Sequence, residues 1–242
     1  MIHCLRKLRK QKTGQSRQGS YLLYALGEIV LVVAGILIAL SINNWNEERI
    51  HKQQLRNIFR SLEEDIKNDL DNANAVLEYY EGYKDEFIAL MEGTMSLEDF
   101  KTCRQCPYLV TGHRSFTIEV RGYEALKEFN TGYEEDSLVN QVVQFYTTFI
   151  EGIYTNDQLI RESIAADLVK WRDQYDWFPA FAQQLEENEA YARYAVSAKE
   201  MRNMTAWRYA LIYTNYVPMV KDFRQGLQRM QANVESRLSG KS

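Results

Sequence analysis

Proline is scarce in this chain: Pro107, Pro179 and Pro218 are the only three in 242 residues. Glycines are few, and Glu, Lys, Gln, Leu and Ala are abundant, so little breaks a helix and much favours one. No Ser/Gly-rich linker, low-complexity tract or solenoid-type repeat is present. Chemical motifs are missing as well. Nothing resembles a phosphate loop, a nucleophile elbow or a metalloprotease helix. The acidic run Glu134, Glu135 and Asp136 lacks the alternating ligand spacing of a calcium loop and suits a helix start. These absences point to a non-enzymatic protein that carries no cofactor.

What is present is one long apolar run. Residues 21–45 read YLLYALGEIVLVVAGILIALSINNW, and residues 22–42 hold a single charge, Glu28. A helix rises about 1.5 Å per residue, so the run covers a hydrocarbon core of roughly 30 Å. Tyr21 and Tyr24 at one end and Trp45 at the other are rings that favour the headgroup layer. The spacing predicts one transmembrane helix over 21–45, and no second span follows. A cleaved signal peptide, with Ala39 and Ser41 as its small-residue site, is the competing reading. The run is longer than a signal core of about 7–15 residues, and the helical pattern continues past Trp45.

Charge gives the orientation. The tail, residues 1–20, carries Arg6, Lys7, Arg9, Lys10, Lys12 and Arg17 and no acid. Of the chain's 29 basic residues 23 remain after the tail, against all 33 acidic ones. Basic flanks stay in the cytoplasm, which places residues 46–242 outside it. The basic tail suits anionic lipid heads, and the acidic remainder argues against nucleic acid as a partner.

Within the span, Gly27, Leu31, Gly35 and Ala39 form an i+4 row beside Glu28. Small residues four apart permit close helix contact, and an ionisable group in hydrocarbon is costly unless it finds a partner. The row is read as a helix–helix interface, with itself or with another envelope membrane protein. The competing reading leaves Glu28 facing lipid and snorkelling towards the headgroups.

Beyond the span the pattern predicts an all-α bundle. Leu55, Phe59, Leu62, Ile66, Leu70, Ala73, Leu77 and Tyr80 form one apolar stripe, with Glu63, Glu64, Asp65, Lys67, Asn68 and Asp69 as a solvated face. That helix is expected to run to about Met91–Gly93, and Ser96 to cap a short helix after it. Residues 103–121 read as a loop with a short extended piece at Phe116–Val120. Helices resume at Gly122–Phe129 and end at Asn130–Gly132. The next runs from Ser137 to Trp171, with Asn156 and Asp157 as its interruption. Aromatics around Pro179 favour core packing over a ligand pocket. The last helix, from about Thr205 to Leu238, shows a/d-like spacing at Val220, Phe223, Leu227, Met230 and Val234, kinked or divided by Pro218. It is expected to lie antiparallel to the first exported helix.

Cys103 and Cys106 are read first as a small-loop disulfide, given an exported domain. Free thiols and a redox pair remain open, as does a metal site completed by His113; no second cysteine pair follows, which weakens the metal reading.

The segment YLLYALGEIVLVVAGILIALSINNWNEER resembles the N-terminal signature of an uncharacterised family of bacterial membrane proteins found mostly in Bacteroidota. GYEALKEFN followed by SLVNQVVQFYTTF is similar to that family's downstream helix pair, with Tyr123, Leu126, Lys127, Leu138 and Tyr146 in the matching places. The connection at residues 128–132, EFNTG, departs from the family's usual Ser-Gly. The resemblance implies a single-pass anchor in the bacterial inner (cytoplasmic) membrane, with a periplasmic helical domain. It implies no activity. The expected role is assembly, as a homo-oligomer or an accessory subunit of an envelope complex. The alternatives are an extracytoplasmic sensor or ligand-binding module acting through a partner and, behind it, a thiol–disulfide enzyme.

Overall fold

The computed structural model describes residues 17–129, 137–183 and 188–240. The side chains of residues 17–20 and of Leu22 are not among those described, nor are the tail residues Arg6, Lys7, Arg9, Lys10 and Lys12. The expected helix end at Asn130–Gly132 and the acidic run at Glu134–Asp136 also lie outside the described residues.

Among the described residues every regular element is helical. The chain divides into two units, Met1–Gln54 and Leu55–Ser242. Helix α1 (Arg17–Glu81) supplies the described part of the first unit and opens the second. In the first unit the apolar side chains stand in the open, from Leu31 at 76 % exposed to Val33 at 47 %. This is one helix long and apolar enough to cross a membrane.

The second unit is a helical bundle with one contiguous core. After α1 come α2 (Lys84–Glu92), α3 (Leu97–Thr102), a 3₁₀ turn (Cys106–Tyr108) and α4 (Arg121–Phe129). Then follow α5 (Ser137–Gln174), α6 (Phe178–Ala182), α7 (Glu189–Ser197), α8 (Lys199–Tyr209), a π-helical segment (Ala210–Tyr216) and α9 (Val217–Ser239). The stripe on α1 buries Phe59, Leu62, Ile66, Ala73, Leu77 and Tyr80, and the a/d positions of α9 are all buried. The two helices run antiparallel. Arg56 Nη2 donates to the Leu238 carbonyl (3.1 Å), and Arg224 Nη1 donates to Asn74 Oδ1 (3.1 Å).

Three expectations need correction. The helix expected to reach Met91–Gly93 stops at Glu81, where Gly82 and Tyr83 form a turn before α2. Glycine is a poor helix former, and the break lets Phe87 and Leu90 turn into the core. Asn156 and Asp157 do not interrupt α5. Asn156 turns its amide back to the Gly152 carbonyl, one turn up the same helix, at 2.8 Å. The expected break at Pro218 takes the form of a change in winding: the stretch divides into α8, the wider π turn that ends at Tyr216, and α9, with Pro218 in the first turn of α9. Proline supplies no N–H and crowds the preceding turn, so a local change of winding there relieves the conflict. The Ser96 cap forms as a capping box with Asp99, Asp99 N donating to Ser96 Oγ at 3.0 Å.

The third correction concerns the acids of α1. Asp65 and Asp69 are fully buried rather than solvated. Residues 113–120 form no regular secondary structure, so several of their backbone groups turn to side chains. Glu119 N donates to Asp69 Oδ1 (2.9 Å), and Asn72 Nδ2 donates to the Thr117 carbonyl (3.2 Å). Phe116 N donates to the Tyr216 hydroxyl (2.6 Å) and Arg114 N to the Tyr80 hydroxyl (3.0 Å). Asp65 Oδ2 accepts from Gly122 N (2.6 Å) at the start of α4, and Arg121 Nη2 donates to Asp65 Oδ1 (3.0 Å). A carboxylate at a helix N-terminus meets an otherwise orphaned N–H.

Gly122 sits so close to α1 that an added Cβ would lie 2.6 Å from Leu62 Cα. Gly122→Ala is therefore expected to destabilise the bundle by about 2–3 kcal/mol, read as a lower urea midpoint with unchanged slope. Burial pushes the Asp69 carboxyl up to about 7, against the pull of the Glu119 N–H and with help from the Glu119 and Asp65 charges. Unfolded Asp69 ionises near pH 4 and the folded one near 7, so the folded state keeps a proton the unfolded chain has lost. Its contribution to stability falls as pH rises through that window. Asp69→Asn should remove that slope, gaining on the order of 3 kcal/mol relative to the parent between pH 4 and pH 7.5 in urea titrations.

Candidate functional site: an aromatic cleft backed by a buried polar chain

The end of α1, the turn after it and α2 place aromatic side chains four residues apart. Tyr79, Tyr80, Tyr83 and Phe87 make one wall of a cleft of about 380 Å³. The opposite wall comes from the 3₁₀ turn and its flanks: Arg104, Gln105, Tyr108, Leu109 and Gly112. Rings pack edge to face along the first wall, with Tyr79 and Tyr83 centroids 4.6 Å apart. Such geometry holds large flat side chains in place while leaving their faces available.

Cys103 and Cys106 are joined by a disulfide, with Cα atoms 5.4 Å apart. It closes a ring around Arg104 and Gln105, both of which are exposed at the cleft. His113 does not join the cysteines as a ligand set. Among the described residues no cluster of His, Cys, Asp and Glu is placed to hold a metal ion.

Behind Tyr80 runs a buried polar chain. His113 Nδ1 lies 2.7 Å from the Tyr80 hydroxyl, and His113 Nε2 lies 2.6 Å from Asp157 Oδ1. Arg161 Nε donates to Asp157 Oδ2 (2.6 Å), and Arg161 Nη2 donates to Ser115 Oγ (2.5 Å). Burial pulls the imidazole of His113 below its ordinary value, and the hydrogen bond and charge of Asp157 only partly oppose this. A neutral ring donates from Nε2 to Asp157 and accepts at Nδ1 from Tyr80. Burial pushes Asp157 up, but its hydrogen bonds from Arg161, His113 and Ser115 outweigh that and leave it below the usual carboxylate range.

Tyrosine, histidine and aspartate in series have the outline of a proton relay. The head of this series is buried, however. Tyr80 is 1 % exposed, and burial raises its phenol further from ionisation. Its hydroxyl also accepts from Arg114 N, so it anchors the extended segment. The chain ties residues 113–115 to α1 and α5, and so fixes the back of the cleft.

The other sequence candidates fall elsewhere. Gly27, Glu28, Leu31, Gly35 and Ala39 are all exposed on α1, and a Cβ added at Gly27 or Gly35 meets nothing within 4 Å. Tyr21, Tyr24 and Trp45 are exposed too. Arg17 begins α1. The aromatic group near Pro179 packs as core: Trp171 is buried against Trp177, Phe181, Tyr191 and Tyr194. The cleft itself escaped the sequence reading. Its signal was present in Tyr79, Tyr83 and Phe87 at helical spacing, but the opposite wall is distant in the chain.

Because the chain has only three histidines, the His113 ring resonances are easily assigned. Their titration is expected at a midpoint below the ordinary histidine value. In Asp157→Asn the midpoint should fall further, because the group that opposes burial is gone. A midpoint that rises in this variant would contradict the geometry of the chain.

No curated protein and no solved structure matches this sequence. Residues 28–118 do match the model of a family of unknown function, DUF6090. That match begins inside the apolar run of α1 and takes in both walls of the cleft, the disulfide and His113.

Proposed function

We propose that the chain is a non-enzymatic single-pass protein of the bacterial inner membrane, whose exported helical domain serves assembly. Residues 21–45 are its transmembrane helix, the basic tail stays in the cytoplasm and residues 46–242 are periplasmic. The observation that carries this reading is the apolar run itself, whose side chains stand exposed along the whole of residues 23–42. A surface of that kind needs lipid or another helix to cover it. A disulfide between Cys103 and Cys106 suits an oxidising compartment, and the resemblance to Bacteroidota membrane proteins agrees. Open space beside Gly27 and Gly35 leaves room for a second helix to approach, with Glu28 at the contact.

A second reading has its own observation. The cleft favours a ligand-binding module that signals through a membrane partner.

Extraction of the full-length protein in mild detergent, followed by native mass determination, tests the assembly reading. The expected result is a homo-oligomer or a stoichiometric foreign subunit, weakened about tenfold by Gly35→Leu or Glu28→Leu. A monomer with no companion at any protein concentration overturns it.

A further inference from the structure

The cleft has polar groups that nothing in the fold uses. Three tyrosines of the bundle place their hydroxyls on carbonyl oxygens: Tyr191 on Pro107, Tyr213 on Tyr80 and Tyr216 on Arg114. Of the four tyrosines that line the cleft, Tyr80 is engaged in the same way and the other three differ. Among the described residues Tyr79, Tyr83 and Tyr108 make no side-chain hydrogen bond, and neither do Gln105 and Arg104. Fold stability does not require these groups to converge on one cavity.

Charge narrows the occupant. Among the described residues Arg104 is the only charged one lining the cleft, and no carboxylate lines it. Arg114 adds to the field, since it opposes the upward push that burial and Tyr83 exert on the Tyr79 phenol. The chain as a whole is acidic, with 33 acidic against 29 basic residues. A cavity with a lone unpaired guanidinium in such a protein selects anions. Guanidinium presents parallel N–H donors that match a carboxylate in two-point fashion. The remaining lining is flat and apolar, and the volume of about 380 Å³ lies within the range of small-molecule sites, roughly 300–1,000 Å³.

The disulfide gives the arrangement its stiffness. Arg104 and Gln105 lie between the bonded cysteines, so the loop that carries the cation has little freedom to lose on binding. Leu109 and Cys106 are buried beneath it and hold the turn against the core.

We infer that this cleft binds a small planar organic anion, an aromatic ring system bearing a carboxylate, with Arg104 on the carboxylate and the rings of Tyr83 and Tyr108 on the aromatic faces. The inference rests on the ligand-binding reading above and adds the ligand's chemical class. Phenol hydroxyls and the Gln105 amide are then the donors and acceptors for polar substituents on the ring.

The test uses the full-length protein in phosphatidylcholine nanodiscs, by equilibrium dialysis with empty discs subtracted. Two probes share one ring system: naphthalene-2-carboxylate and its neutral counterpart, naphthalene-2-carboxamide. The carboxylate is expected to bind one site per chain, about tenfold tighter than the amide. Arg104→Gln should abolish that preference while leaving amide binding unchanged, which also shows that the variant is folded. Tyr83→Ala should weaken both probes. Replacing Cys103 and Cys106 together by serine should reduce the preference without abolishing amide binding. Equal binding of the two probes by the parent protein overturns the inference and leaves ligand binding standing. So does a preference that survives in Arg104→Gln. Failure of both probes to bind removes the inference and the ligand-binding reading together.

Discussion

The bundle depends on how an irregular segment satisfies its backbone. Residues 113–120 have no helix or ladder to take up their N–H and C=O groups, and Phe116 is buried at their middle. An unpaired buried backbone group costs about 1–3 kcal/mol, so the groups cannot simply be left. The domain meets them with side chains drawn from α1 and the π-helical segment: Asp69, Asn72 and Tyr80 from the first, Tyr216 from the second. Asp65 extends the same row to the first turn of α4.

This arrangement couples features that are distant in the chain. The row on α1 sets where the segment lies. The segment sets where His113 sits, and His113 reaches across to Asp157 on α5. Tyr80 belongs to both systems, since its hydroxyl meets the segment while its ring lines the cleft. The buried arginine of α8 adds a further tie, with Arg208 Nη1 on the Ile160 carbonyl (2.6 Å) and Nη2 on Asp167 (3.0 Å). Buried charge of this kind is tolerated because each carries a partner, and removing one partner strands the other. The cleft therefore stands on a rigid support, and its rim is held separately by the Cys103–Cys106 ring. Rigid support with unengaged polar groups at the surface is the combination a binding site requires.

The first unit obeys a different solvent rule. Along residues 23–42 the apolar groups face outward, the inverse of the second unit, where the same residue types face in. Burial in the second unit comes from the helices that pack around one core there. The helix–helix interface around Gly35 attaches to the first unit, and the ligand reading to the second.

Periodicity alone specified the helices, because burial of one face imposes a spacing of three or four along a helix. That spacing gave the stripe on α1 and the a/d positions of α9, while residue type gave the Ser96 cap and composition gave the apolar run with its flanking charges. Only tertiary structure decided which polar residues are buried. Asp65 and Asp69 stand three residues after Leu62 and Ile66, on the side of the apolar stripe rather than with Glu63, Glu64 and Lys67, but their position names no partner for a buried carboxylate. They are buried because residues 117–122 settle on their side of α1, a contact between segments about fifty residues apart in the chain. The cleft has the same origin. Tyr79, Tyr83 and Phe87 show a helical spacing, but a cavity needs two walls, and the wall from residues 104–112 reaches them only when the fold closes.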